Sequence, residues 1–140
     1  MTVVNKGLPV LEKHVTQEQV IRYAEASGDH NPIHLDPNFA AKTTFGRPIA
    51  HGMLILAFLS EMLTIAYGRF WLEGGSLKVR FKAPVYIGET VTTSGSLKSE
   101  IETAYSRRFI YRVGCSTQEG NEVITGEATV DLPKTEQPGE

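Results

Sequence analysis

Cysteine is nearly absent. The chain of 140 residues holds one, Cys115. A single thiol closes no internal disulfide and builds no cysteine-based zinc cluster. That scarcity fits a reducing compartment, and the cytoplasm is the expected location. Charge of one sign is also lacking: 14 Lys and Arg stand against 16 Asp and Glu, for a net charge of −2. No block of like charge stands out, which argues against a nucleic-acid surface or an anionic-membrane surface. The start, "MTVVNKGLPV", lacks a secretory pattern. The longest apolar run, "MLILAFLSEMLTIAY", is broken by Glu61 and is short of the ~20 residues a membrane span needs. Repeats and internal low-complexity segments are missing as well. One domain over residues 1–132 is expected, and the polar "LPKTEQPGE" end suggests fraying over 133–140.

What is present falls into two halves. "LPVLEKHV" (8–15) reads as a first strand. Thr16 and Gln19 then have capping-box spacing, and Val20, Tyr23 and Ala24 mark the apolar face of a helix that Gly28 ends. Asp36 before Pro37 reads as the cap of a short helix reaching about Lys42. From Gly52 to about Tyr67 runs a helix that is apolar nearly all round and so expects burial on most sides. Beyond Gly68 the chain turns to β-branched and aromatic residues in four runs, and Leu77, Val79 and Phe81 alternate with Lys78, Arg80 and Lys82. A greasy helix followed by an antiparallel sheet is an α+β arrangement in which the sheet wraps the helix. The sheet edge left over invites a second copy. Cys115, within "YRVGCSTQ", reads as a buried small hydrophobe on a strand.

One stretch is crowded. "SGDHNPIH" (27–34) packs an acid, two histidines, an asparagine and a proline into eight positions. His30 and His34 have the i, i+4 spacing of a helical metal motif, but Pro32 lies between them and breaks the helix that would align them. Turn chemistry accounts for Gly28, Asn31 and Pro32. It does not call for His34. The other reading pairs Asp29 with His34 as proton-handling groups around one water. Gly52, opening the long helix in "AHGML", offers an unpaired N–H at a positive helix end, and glycine lets a ligand approach. Close packing explains the same glycine equally well. Residue types alone leave both readings standing.

"YAEASGDHNPIHLDPNFA" with "GRPIAHGML" resembles the MaoC-like (R)-specific enoyl-CoA hydratase family, also called hydratase 2. The matching positions are Tyr23, Ser27, Gly28, Asp29, Asn31, Pro32, Ile33, His34 and Ala40, and "FKAPVYIGETV" is also family-like. The resemblance spans about residues 12 to 132. It implies a hot-dog fold, a long central helix wrapped by a five-stranded antiparallel sheet, and a homodimer. It also implies reversible syn addition of water to a trans-2-enoyl thioester. Asp29 and His34 would be the catalytic pair and the Gly52 N–H the oxyanion donor. Asn31 would position the loop, His51 would orient the segment before the helix, and Ser60 would be a supporting polar residue. The resemblance implies no metal, flavin or nicotinamide; coenzyme A is part of the substrate.

Several alternatives follow from the same residues. An acyl-carrier-protein dehydratase or a hydratase of branched or dicarboxylic enoyl-CoA would use the same pair. A thioesterase would want a carboxylate on the central helix, where Glu61 is the one charge. A non-catalytic acyl-CoA-binding module would have no use for an intact pair. Short or medium acyl chains are expected, with Phe45, Tyr67, Phe70 and Trp71 as possible pocket walls. Arg47, Arg80, Lys82, Arg107 and Arg108 are the candidate contacts for CoA phosphates. His30 is expected at the rim and His14 on a strand surface.

Overall fold

The computed structural model describes residues 7–134. Of the expected tail, residues 135–140 lie outside the described residues. In chain order the elements are β1 (Glu12–His14), α1 (Gln17–Ser27), α2 (Pro32–Leu35), α3 (Pro37–Ala41) and α4 (Gly52–Tyr67). They continue with α5 (Arg69–Gly74), β2 (Gly75–Phe81), β3 (Thr90–Glu102), β4 (Ser106–Thr117) and β5 (Glu122–Pro133). The strands form one antiparallel sheet in the order β1-β3-β4-β5-β2.

Local chemistry explains the boundaries. Thr16 accepts the Gln19 N–H at 3.1 Å and starts α1, while Gly28, at φ 82°, ends it in a left-handed turn that other residues adopt at a cost. Asp36 accepts from Asn38 and Phe39 and starts α3 with Pro37 behind it. The first strand is shorter than the expected 8–15. The Thr93 N–H donates to the Leu11 carbonyl at 2.9 Å, but the Leu11 N–H turns to Thr93 Oγ1 at 2.9 Å, so a side chain replaces one ladder bond just before β1 begins. Two short helices were not anticipated. Asn31 caps α2 with Pro32 in its first position, and α5 follows Gly68, where a strand-rich region was expected.

The central helix α4 presses Leu54, Ile55, Phe58, Leu59, Met62 and Leu63 into one core with Val91, Phe109, Tyr111, Val113, Ile124 and Val130 of the sheet. Each such side chain contributes about 1.5–3 kcal/mol when fully buried. The sheet covers one side of α4. On the other side Met53 and Ile65 are 56% and 59% exposed, so the burial expected on most sides is met only where the sheet lies. At the opposite sheet edge from β1, β2 pairs with β5 alone. No helix among the described residues is long and apolar enough to cross a membrane.

Candidate active site

The crowded stretch is held by its own side chains. Ser27 Oγ accepts the Asp29 N–H at 3.1 Å, Asp29 Oδ1 accepts the Asn31 N–H at 3.2 Å, and Asn31 Oδ1 accepts the Ile33 N–H at 3.1 Å. Turn chemistry therefore does set this loop. It also points its two proton-handling groups differently. Asp29 stays exposed, while the short helix α2 carries His34 inward to 8% exposure.

His34 Nδ1 lies 2.7 Å from the Ile49 carbonyl. A carbonyl only accepts, so Nδ1 carries the hydrogen and the neutral ring keeps its lone pair on Nε2. Burial lowers the pKa of His34 from 6.5; the neighbouring His51 adds to this, while the Ile49 bond and Asp29 oppose it. The lowered value favours the neutral, lone-pair-bearing form.

His51 is 2% exposed and caps α4 in sequence but not with its side chain. Its Nε2 donates to the Asp29 carbonyl at 3.0 Å, and its Nδ1 is buried without a hydrogen-bond partner. The His34 and His51 rings stack at 3.9 Å with 27° between planes, and Tyr23 packs 4.9 Å from His51. One polar atom each of Asp29, His34 and His51 falls within 4.8 Å of the others. Each buried imidazole already commits one nitrogen to a carbonyl.

Beside this cluster, α4 opens at Gly52. The Leu54 and Ile55 N–H groups bond the His51 carbonyl, and the Gly52 N–H has no partner among the described residues. A Cβ on Gly52 would stand 3.2 Å from Phe81 Cδ1 and Cε1. His34 and Gly52 both line a cleft of about 360 Å³ whose apolar walls include Phe45, Ile55, Phe81 and Ile124. The alternation of Leu77, Val79 and Phe81 with charged residues assigns Phe81 to the core-facing side of its strand. Phe81 is nonetheless 53% exposed and lies against Gly52 at the cleft. The alternation on β2 gave its facing correctly, but a strand pattern does not show that the strand end overruns the helix. The Ile49 carbonyl left no trace in residue types.

Other candidates stand elsewhere. Ser60 accepts from Trp71 Nε1 at 2.9 Å, toward α5, and does not line the cleft. Tyr67 bonds Tyr111 in the core, and Phe70 packs against that core. Of the four expected pocket walls, Phe45 is the one lining the cleft. Glu61 pairs with Lys13 at 2.7 Å, away from the cleft. His30 is exposed, and His14 meets Thr90 on the sheet surface. Asn31 is occupied in capping α2.

A central helix laid along a five-stranded antiparallel sheet is the hot-dog fold, and in this chain an aspartate-histidine cluster stands at the start of that helix. The MaoC like domain matches residues 4–118, and the chain belongs to that family. The chain is 40% identical over 126 residues to the (R)-specific enoyl-CoA hydratase of Aeromonas caviae, covering 88% of this chain and 90% of that protein. It is 36% identical over 129 residues to the 3-hydroxybutyryl-CoA dehydratase of Methylorubrum extorquens, covering 91% and 80%. Among solved structures, the (R)-hydratase from A. caviae involved in PHA biosynthesis superposes with a TM-score of 0.77 at 33% identity, over 95% of this chain and 98% of that one.

Proposed function

We propose that this chain is a hydro-lyase that reversibly adds water to a trans-2-enoyl thioester of short or medium chain, giving the (R)-3-hydroxyacyl thioester. One observation carries the reading: Asp29, His34 and His51 gather within 4.8 Å beside an unpaired helix N–H at an apolar cleft. The names of the hydratase and dehydratase relatives support it.

The chemistry follows from which atoms hold lone pairs. His34 Nε2 and the Asp29 carboxylate are both acceptors, so one water donates an O–H to each and turns its own lone pair toward C3. As oxygen bonds to C3, one of the pair takes the proton. The C2–C3 π electrons move toward the carbonyl, and the enolate oxygen rests on the Gly52 N–H at the positive end of α4. A proton returned to C2 from the same face completes syn addition. His51 holds the Asp29 backbone and stacks under His34, and Asn31 fixes the turn between them. The step needs no metal or redox cofactor.

The reading includes a homodimer in the cytoplasm. The open β2 edge and the exposed Met53 and Ile65 on α4 are surfaces a second copy would cover, and the buried lone cysteine suits a reducing compartment. A thioesterase built on Glu61 is disfavoured because that carboxylate is engaged with Lys13.

The test follows loss of enoyl absorbance from crotonyl-CoA with wild type, Asp29→Asn and His34→Ala, each checked for folding, with chiral analysis of the product. Turnover by wild type and a fall of about 10²–10⁴ in each folded variant is expected. Turnover indifferent to both substitutions would return the loop to turn chemistry.

A further inference from the structure

The active cleft does not end at its own walls. Lys82, Ala83 and Pro84 also border a second groove of about 770 Å³, which continues past Tyr86 and Glu89 to Asn121 and Glu122. Tyr86 links the two. It lines the groove, and its hydroxyl donates to the carbonyl of Phe45, a wall of the cleft, at 2.9 Å.

Over the Tyr86 ring lies Arg47, its guanidinium 4.1 Å from the ring centroid. Nη1 donates to the Ile87 carbonyl at 3.3 Å. Arg47 is exposed and meets no carboxylate among the described residues, so most of its five N–H donors face solvent. The groove's two carboxylates are already engaged: Glu89 accepts the Tyr86 N–H at 2.8 Å, and Glu122 pairs with Lys82 at 3.3 Å. Other cations are less suited. Arg107 and Arg108 are tied to Glu100 and Asp131 on the sheet. Arg80, next to Phe81 on β2, points to the opposite face of the strand. A guanidinium with no carboxylate partner, stacked on a ring that itself lines the groove, suits a phosphate.

We propose that Arg47, stacked on Tyr86, binds the phosphate-bearing end of the acyl carrier, with the pantetheine arm running along residues 82–84 from the cleft. The proposal rests on the thioester reading above. Its shared chemistry is a phosphate on pantetheine, supplied either by the nucleotide of CoA or by the phosphopantetheine of a carrier protein.

Three crotonyl thioesters separate the cases: of pantetheine, of 4′-phosphopantetheine and of CoA. For Arg47→Gln the ratio of kcat/KM between CoA and pantetheine esters should fall about five- to tenfold, through KM, with Arg47→Lys in between and the difference shrinking at high salt. If the phosphopantetheine ester falls as far as the CoA ester, Arg47 reads the phosphate common to both carriers. If the CoA ester alone falls, it reads the nucleotide. An unchanged ratio, whether because all three esters suffer alike or none does, overturns the proposal and leaves Arg47 as a brace on Tyr86 and Ile87. Calorimetric binding of free CoA and free pantetheine keeps the two readings apart. Absent turnover of every ester with CoA binding still weakened in Arg47→Gln would remove the hydratase reading and retain the phosphate contact.

Discussion

Gly52→Ala puts one methyl where the enolate oxygen is expected to sit. Gly52 is not among the glycines with positive φ, so alanine fits its backbone. The new Cβ would stand 3.2 Å from two atoms of the Phe81 ring, a few tenths too close. Phe81 is 53% exposed and can swing outward, which keeps the steric cost small. Replacing a helix glycine by alanine returns about 0.5–1 kcal/mol. The variant should therefore melt within a few degrees of wild type. Activity should not survive so well. Loss of one oxyanion donor costs about 10²–10³ in kcat, or about 2.7–4 kcal/mol, and a methyl that bars the carbonyl from the N–H approaches that loss. The assay pairs a thermal melt with crotonyl-CoA hydration. Phe81→Ala and the double variant complete a cycle: relieving the contact should not restore turnover, because the methyl still blocks the N–H. Activity within about threefold of wild type, or recovery in the double variant, would refute the reasoning and reassign Gly52 to packing.

His34 makes a pH prediction. Burial holds its folded pKa below 6.5, so at acid pH the unfolded chain binds a proton that the folded one refuses. Stability should then fall as pH drops through 6.5 toward the folded value, and His34→Gln should flatten that slope in urea titrations. The acid limb of kcat/KM should likewise lie below 6.5, and a limb above it would contradict the neutral tautomer assigned here. Cys115 is 2% exposed and its thiol is pushed up to about 12 by burial, so a thiol reagent should label it only at the rate of unfolding; rapid labelling of native protein would contradict that burial. Thr16→Ala removes the α1 cap and should cost about 1 kcal/mol in denaturant melts with kcat/KM unchanged.

Local rules were legible because their causes are local. Thr16, Gly28, Asp36 and Pro37 mark helix ends through bonds that span at most a few residues, and they marked them correctly. The long apolar run of α4 and the alternation on β2 announced a helix and a sheet with one shared core. The family motif singled out Asp29, His34 and Gly52 together. Pattern alone could not separate turn from site, and the structure shows why: Ser27, Asp29 and Asn31 satisfy the turn with the same side chains that present the cluster.

Tertiary structure decided what depends on distant chain segments meeting. The Ile49 carbonyl sets which nitrogen of His34 carries the hydrogen, and a backbone carbonyl has no residue signature. The stack of His34 on His51 joins residues 17 positions apart through the path of the loop between them. Phe81 meets Gly52 because the end of an edge strand passes the start of the central helix. Ser60 was placed by family position, yet the short helix α5 brings Trp71 onto its hydroxyl. Sequence determined most of the elements and offered the candidate groups, since propensity and capping act over a few residues. The structure alone decided which groups share a cleft and which nitrogen of His34 carries the hydrogen, because burial and bonds between distant segments exist only after folding.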